Sequence, residues 1–147
     1  MRVERKVALA VTAATTVAVL FAGGTPAAAD SFGKCSAGWV CLYENEDFNQ
    51  DKGLDGDHWR NFKKSKPDLR KYNWLDAHGW DSGDGMDNET SSIKVRKGWC
   101  WVQLYQDVGY GGAMSVFGRG VGQPEDGKLK NDEIGDNRAS AFKIVNC

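Results

Sequence analysis

The pentapeptide Trp39-Val40-Cys41-Leu42-Tyr43 returns 62 residues later as Trp101-Val102-Gln103-Leu104-Tyr105. In each copy a second aromatic ring follows five residues after the tyrosine, Phe48 in the first and Tyr110 in the second. A repeat at this spacing is typical of a chain built from two similar structural units. We therefore divide the rest of the chain around this repeat.

A second repeated motif lies near the end of each unit. Residues 87–95, Asp-Asn-Glu-Thr-Ser-Ser-Ile-Lys-Val, recur at 136–144 as Asp-Asn-Arg-Ala-Ser-Ala-Phe-Lys-Ile, at an offset of 49. The difference between the offsets, 62 and 49, makes the first unit 13 residues longer. Apolar residues occupy alternate positions in all four segments, which predicts half-buried β-strands. The expected inward side chains are Val40, Leu42, Ile93, Val95, Val102, Leu104, Phe142 and Ile144.

The segments between these strands are rich in glycine, and no long amphipathic helix stands out among them. Two units of this length, each with one apolar face, are too short to bury that face alone and would pack face to face. The sequence therefore predicts an all-β sandwich of two sheets. We place the first unit at about residues 35–97 and the second at about 99–147.

The first 29 residues have the organisation of a cleaved export signal. Three basic residues within the first six positions precede an uncharged, mostly apolar run at 7–22, and small residues at 27–29 offer a cleavage site. A membrane-spanning helix needs about 20 apolar residues, whereas glycine and proline at 23–26 end this run earlier. We therefore expect residues 30–147 to be a secreted, extracellular monomer that does not bind membranes.

The cysteines Cys35, Cys41, Cys100 and Cys147 all lie in the part expected to be exported. An even number of cysteines in a small exported chain indicates disulfides. Four cysteines allow three pairings, of which we favour Cys35 with Cys41 and Cys100 with Cys147. Zinc is the alternative use, but no two cysteines have the close spacing of a zinc site, and the two histidines stand 20 residues apart.

The Asp-Asn pairs in the closing motifs can be interpreted as ligands of a hard cation. Calcium prefers about six to eight oxygen ligands, which Asp, Asn and Ser side chains and turn carbonyls can supply. The alternative is a turn whose polar side chains bond the backbone, and at 87–92 the two interpretations balance. At 136–141 we favour the turn, because Arg138 brings a positive charge. The candidate ligands are Asp87, Asn88, Glu89, Ser91, Asp136, Asn137 and Ser140.

The span between Trp59 and Trp74 is strongly basic, and we place the 13 extra residues of the first unit near 58–74. This basic segment could bind a polyanion, a cell-wall polymer or an acidic partner. We favour the alternative, a solvated connection whose aromatic residues cover the sandwich edge. Nucleic acid is not expected as a partner, because the exported part is acidic overall and such binding depends on phosphate neutralisation. The basic residues are Arg60, Lys63, Lys64, Lys66, Arg70 and Lys71.

These motifs resemble those of the βγ-crystallins. The pattern Tyr-x-x-x-x-Tyr-x-Gly at 105–112 matches their folded-hairpin signature, and Asp-Asn-x-x-Ser-Ser at 87–92 matches their calcium-site pattern. The corresponding segments of the other unit depart from these patterns. At 43–50, Gln50 stands in place of the glycine of the hairpin signature, and at 136–141, Ala141 stands in place of the last serine of the calcium-site pattern. With Cys-x5-Cys at 35–41, the chain resembles in particular the Streptomyces metalloproteinase inhibitor family.

The resemblance implies a disulfide-braced, βγ-crystallin-like sandwich of two Greek-key motifs. It also implies calcium ions shared between the units, with Glu44 and Gln106 completing the shells through backbone carbonyls. As a function it implies a secreted peptidase inhibitor whose rigid loop blocks the active-site cleft of a metalloprotease. The short loop between Cys35 and Cys41 is a candidate for that loop because it is stiff.

The alternative function is a calcium-binding structural or toxin-like module that acts at a cell surface. An enzyme is not expected, because the sequence has no His-Glu-x-x-His, Gly-x-Ser-x-Gly or phosphate-cradling motif. Neither histidine has a nearby serine or free cysteine that it could activate.

Overall fold

The computed structural model describes residues 34–50 and 57–147. The export signal predicted at 1–29 lies outside these residues. Within them, short 3-10 segments occur at Glu46–Asn49, Leu69–Lys71 and Leu129–Asn131. The strands are β1 (Val40–Tyr43), β2 (Trp59–Phe62), β3 (Asn73–Leu75), β4 (Asp81–Gly85), β5 (Ser92–Val95), β6 (Trp101–Asp107), β7 (Gly111–Phe117), β8 (Glu125–Asp126) and β9 (Ala141–Val145).

The strands form two antiparallel sheets, which confirms the predicted all-β sandwich. One sheet has the order β4-β3-β2-β1-β5-β8, and the other has the order β7-β6-β9. The repeated pentapeptides lie in β1 and β6, each at the centre of its sheet. In the part of the chain that the structure describes, no helix is long and apolar enough to cross a membrane.

Each unit contributes its third segment to the sheet of the other unit. In the second unit this segment is β8, which pairs with β5 of the first unit. In the first unit it is the stretch around Lys66, which bridges Phe142 of β9, and Leu69 N then donates to Ser140 O at 2.8 Å. The two Greek keys are therefore interlocked through their backbones.

The core lies between the two sheets. Seven of the eight expected inward residues are buried there, and Ile144 is partly buried at its edge. The alternating pattern of β1 predicts a half-buried strand with every second side chain exposed. This prediction is wrong, because all four residues of β1 are buried. Cys41 is covered through its disulfide, while the Tyr43 ring packs 5.7 Å from Phe48 on the outer face.

Two disulfides brace the sandwich with the pairing that the sequence analysis favours. One joins Cys35 to Cys41 at the start of β1, with a Cα–Cα distance of 5.8 Å. The other joins Cys100, directly before β6, to Cys147, two residues after β9. Cys147 is thereby fixed to the start of the central strand of the second sheet.

The span 58–74, where we expected the insert, contains β2 and the bridge at Lys66. Strand β2 has its counterpart in β7, which lies beside the central strand of the second sheet, and the bridge at Lys66 has its counterpart in β8, which pairs with β5. The β3–β4 hairpin has no such counterpart, since the segment Leu129–Asn131 leads almost directly to the second Asp-Asn pair. The additional element of the first unit is therefore this hairpin.

Candidate functional site

The β3–β4 hairpin is anchored in the core at its base. Trp74 of β3 is completely buried, and its indole Nε1 donates to Glu89 Oε2 at 3.0 Å. Met86, directly after β4, is also completely buried, and its backbone N donates to Tyr72 O at 3.0 Å. The hairpin is therefore a fixed extension of the first sheet.

The hairpin tip, residues 76–80, is a turn organised by one carboxylate. Oδ1 of Asp76 accepts hydrogen bonds from the backbone N of His78 at 2.8 Å and of Trp80 at 2.9 Å. Asp76 N donates to Trp80 O at 2.8 Å, and Gly79, at φ +82°, supplies the left-handed conformation of the turn. The donors at Trp80 and His78 lower the pKa of the Asp76 carboxyl, so it is ionised at neutral pH.

A large aromatic side chain projects from this ordered turn. Trp80 is 72% exposed, and its ring lies 5.6 Å from that of His78. The turn is held from below by Trp59, whose Nε1 donates to Asp76 O at 3.1 Å. An exposed tryptophan on a rigid support has the character of a binding anchor.

The disulfide loop at Cys35–Cys41 is bonded to the first sheet, although Ser36 and Ala37 are exposed. Gly38 N donates to Arg96 O at 2.8 Å, and Arg96 N donates to Trp39 O at 2.9 Å, so the loop lies along the first sheet. The ammonium of Lys63 lies 4.5 Å from the centre of the Trp39 ring. The backbone of this loop is therefore hydrogen-bonded along the first sheet, whereas Trp80 projects into solvent from the hairpin tip.

An acidic cleft of about 540 Å³ lies where the two Greek keys meet. Ser91 of the first unit donates to Asn137 Oδ1 of the second at 2.9 Å, and Asn137 N donates to Thr90 O at 3.2 Å. The cleft therefore combines residues from both repeats. It is lined by Glu44, Asn45, Glu46, Asp47, Glu89, Ser91, Asp136 and Asn137.

The chemistry of this acidic cleft fits a hard cation. Oδ1 of Asp136 is buried without a hydrogen-bond partner, which is costly unless a cation or a water satisfies it. Two lysines offset some of the charge at the edge, since Lys130 Nζ lies 2.6 Å from Glu46 Oε1 and Lys128 Nζ lies 3.5 Å from Asp47 Oδ2. Carboxylate oxygens still outnumber cationic groups in the lining.

The remaining predicted ligands form a second, equivalent cluster that contains Asp87, Asn88 and Ser140. Ser140 Oγ donates to Asn88 Oδ1 at 3.3 Å, and Oδ1 of Asp87 is buried without a hydrogen-bond partner. With the Gln106 amide turned so that its oxygen faces these donors, Nε and Nη2 of Arg138 donate to that oxygen, the first at 3.1 Å. The structure thus places Arg138 against Gln106, which we expected at this second site, and away from the acidic cleft.

Several cations of the basic segment contact neighbouring groups, although Lys63, Lys64, Arg70 and Lys71 remain exposed to solvent. Arg70 and Lys71 both contact the Asp68 carboxylate, at 2.9 and 3.7 Å. Lys66 Nζ lies 4.6 Å from the Tyr72 ring centre, and the Arg60 guanidinium lies 5.6 Å from it. Most of these cations are therefore already engaged within the protein.

Sequence reasoning missed the hairpin tip. The signal was available, because Asp76 followed by Gly79 three positions later, between short strand-like segments, indicates a turn. We instead took the basic residues of 59–74 as the mark of the additional segment. The exposure of Trp80 depended on which way the hairpin projects, and one sequence does not contain that information.

Comparison with known proteins gives a family match. The model of peptidase inhibitor family I36 matches residues 28–117, which is more than half of the chain. No curated protein matches the sequence at a significant level.

Comparison with solved structures supports the fold. A domain solved in work on the evolution of the eye-lens βγ-crystallin fold is 18% identical, with a TM-score of 0.55 over 78% of this chain and 92% of that chain. A βγ-crystallin from an archaeon is 24% identical, with a TM-score of 0.48 over 75% of this chain and all of that one. One from Ciona intestinalis is 21% identical, with a TM-score of 0.48 over 74% of this chain and all of that one. Together with the sheets, the first of these confirms a βγ-crystallin-like sandwich.

Proposed function

This chain belongs to peptidase inhibitor family I36, and we propose that it inhibits a secreted metalloprotease by inserting the hairpin tip into the active-site cleft. The proposal rests on one observation, the 72% exposure of Trp80 on a turn that Asp76 holds rigid. The resemblance of the sequence motifs to the Streptomyces metalloproteinase inhibitors supports a metalloprotease as the target.

The physical argument is that an inhibitor must lose little conformational freedom when it binds. The backbone of the hairpin tip is already fixed by the hydrogen bonds around Asp76, so little ordering cost remains on association. A tryptophan ring buries about 150–250 Å² of surface when it enters a pocket, which makes Trp80 a suitable anchor. A protease cleft supplies such a pocket.

We further propose that the protein acts outside the cell as a monomer after cleavage of residues 1–29. Disulfides persist in oxidising compartments, and all four cysteines are paired. An exported inhibitor would share its compartment with secreted proteases, and the paired cysteines support this proposal. Detection of Asp30 as the N-terminal residue of the protein in culture medium would test the export step.

The test is a titration of the purified protein against a panel of secreted zinc proteases. We expect stoichiometric inhibition of at least one protease, and we expect Trp80→Ala to weaken it at least about tenfold, since interface anchors of this type commonly contribute 2 kcal/mol or more. Trp99→Ala is the matched control, because Trp99 is 74% exposed and lies on a different loop. Equal inhibition by wild type and Trp80→Ala would contradict the hairpin mechanism.

A second candidate function is a calcium-stabilised module, which the acidic cleft favours. Asp136, Glu89 and Ser91 would hold the ion there, with the buried Oδ1 of Asp136 as one ligand. Bound calcium would neutralise the carboxylates and link the two Greek keys. The basic segment, in which Arg70 is 58% and Lys71 is 74% exposed, would be the acting surface in the toxin-like version of this function.

A further inference from the structure

We propose that Glu44, His58 and Asp84 form a binding site for a divalent transition-metal ion of the Zn2+ type. Nδ1 of His58 lies 2.6 Å from Oε2 of Glu44 and 3.5 Å from Oδ2 of Asp84. The three candidate ligand atoms all lie within 4.8 Å of one another. This site does not depend on the proposed inhibition of a protease.

Three separate segments bring these side chains together. Glu44 directly follows β1, His58 directly precedes β2, and Asp84 lies in β4. The first two are tied by Glu44 N donating to His58 O at 3.2 Å, and that carbonyl also accepts from Asn49 Nδ2 at 2.8 Å. The sequence analysis considered zinc only at cysteine and histidine pairs close in the chain, so it could not detect this arrangement.

An ion pair alone leaves part of this geometry unexplained. Two carboxylates converge on a single imidazole nitrogen, which can carry only one proton. That nitrogen is shielded from solvent and makes no hydrogen bond of good geometry, despite its short distance from Glu44. A dication between the three atoms would satisfy both carboxylates and the nitrogen at once.

The ligand set favours a zinc-type ion over calcium. Zn2+ accepts one imidazole nitrogen with carboxylate oxygens at about 2.0–2.1 Å, so tetrahedral ligands lie roughly 3.3 Å apart. The observed separations lie on either side of this value, and small side-chain shifts would equalise them. Calcium prefers oxygen ligands alone and more of them. An imidazole ligand therefore selects against it.

The burial of the site leaves one ligand position for water. The side chains of His58 and Glu44 are 17% and 27% exposed, whereas that of Asp84 is 46% exposed. The ion would therefore enter from the Asp84 side and keep a solvent ligand there, as three-ligand zinc sites do. Bound metal would also join β4 to the ends of β1 and β2, at the base of the hairpin.

The experiment is a titration of the purified protein with Zn2+ by calorimetry and with Co2+ by visible absorption. We expect one ion per chain, and an intense four-coordinate Co2+ spectrum that excess Ca2+ does not remove. His58→Gln should weaken Zn2+ binding at least about tenfold, since even residues that only orient metal ligands cost that much when replaced. His78→Gln is the matched control and should bind like wild type, because His78 is the other histidine of the chain and lies at the hairpin tip.

Asp84→Asn is the second variant, chosen because its partly exposed side chain can be changed with little risk to folding. It should weaken binding like His58→Gln while leaving the far-ultraviolet circular dichroism unchanged. Equal Zn2+ affinity for wild type, His58→Gln and Asp84→Asn would overturn the proposal, and so would an equal loss in His78→Gln. Trp80→Ala should retain full Zn2+ binding, which separates this site from protease inhibition.

Discussion

At the scale of single residues, ionisation of Asp132 lowers the stability of the folded protein by an amount that depends on pH. Burial and the neighbouring Asp126 carboxylate raise the pKa of Asp132 from 3.8 to about 6. Between these values the folded protein binds a proton that the unfolded chain has released, so stability falls as the pH rises through this window. Above pH 6 the full cost of the buried charge remains.

We therefore expect Asp132→Asn to have a higher melting temperature than wild type at pH 7. We also expect the melting temperature of the variant to fall less than that of wild type between pH 4 and 7. An amide stays neutral and can still donate a hydrogen bond to Asp126, which accounts for both effects. Thermal denaturation followed by circular dichroism across this pH range would measure them. Glu133→Gln, at an exposed neighbouring residue, should leave the profile unchanged. A wild-type profile that rises from pH 4 to 7 while Asp132→Asn stays flat would contradict this account.

At the scale of elements, the hairpin tip depends on the ionised Asp76. Because the pKa of this carboxyl is lowered in the folded protein, the stabilisation from its hydrogen bonds is complete at pH values above the ordinary carboxyl pKa. It is lost only as the pH falls through the lowered pKa. We expect Asp76→Ala to weaken protease inhibition several-fold at neutral pH, because Trp80 would lose its fixed position.

The measurement for Asp76→Ala is the inhibition constant together with the melting temperature. The melting temperature should change little, because the tip is exposed while Trp74 and Met86 hold the hairpin base in the core. Asp76→Asn should recover part of the inhibition, since its side-chain oxygen can still accept from the turn. Full inhibition by Asp76→Ala would show that the preorganised turn is not what the protease recognises.

The two disulfides should contribute unequally to stability. On the chain-entropy model the loop closed by Cys35 and Cys41 contributes roughly 2.4 kcal/mol, and the loop closed by Cys100 and Cys147 contributes roughly 4 kcal/mol. We therefore expect Cys100→Ala with Cys147→Ala to lower the free energy of unfolding more than Cys35→Ala with Cys41→Ala. Urea denaturation of both double variants would measure the difference, and the reverse order would contradict it.

The elements differ in how well the sequence predicts them. The central strands were predictable because Val40, Leu42, Val102 and Leu104 repeat with a period of two, and burial of one face enforces that period. The hairpin was not predictable in the same way, since its exposed strand β4 reads Asp-Ser-Gly-Asp-Gly and has no apolar alternation. Its pairing with β3 comes from tertiary context, chiefly the burial of Trp74 and Met86.

The candidate site was also predictable from the sequence only in part. The acidic residues of the cleft could be listed from the two Asp-Asn motifs, because oxygen ligands close in sequence form a recognisable pattern. Which of these residues lie together in space could not be predicted, since the exchange of third segments brings Ser91 of one motif into contact with Asn137 of the other. The contact of Arg138 with Gln106 of β6 could not be predicted either, because Arg138 stands close to Asp136 in the sequence.

At the scale of the whole molecule, the exchanged segments predict that neither Greek key folds alone. A fragment of residues 34–98 would lack β8, the partner of β5, and would leave Lys66 without Phe142. We expect residues 34–98 and 99–147, produced separately, to show no cooperative thermal transition, and the intact protein to show a single one. Calorimetry of the three chains would test this. A cooperative transition in either fragment would contradict it.

Calcium should act on the same interlocked architecture, because the acidic cleft joins the two units. An ion that binds only the folded state stabilises it by about 2.7 kcal/mol at one hundred times its dissociation constant, so the melting temperature should rise with Ca2+. Asp136→Asn should abolish the rise, since Oδ1 of Asp136 is a buried oxygen of the cleft that has no hydrogen-bond partner.

Asp87→Asn is the matched control for calcium, because Asp87 holds the equivalent position of the other repeat and its Oδ1 is also buried without a partner. The rise in melting temperature should persist in Asp87→Asn, since the guanidinium of Arg138 opposes a cation beside Gln106. Differential scanning calorimetry in Ca2+ and in chelator would compare the three proteins. Loss of the rise in Asp87→Asn with retention in Asp136→Asn would reverse the assignment of the calcium site.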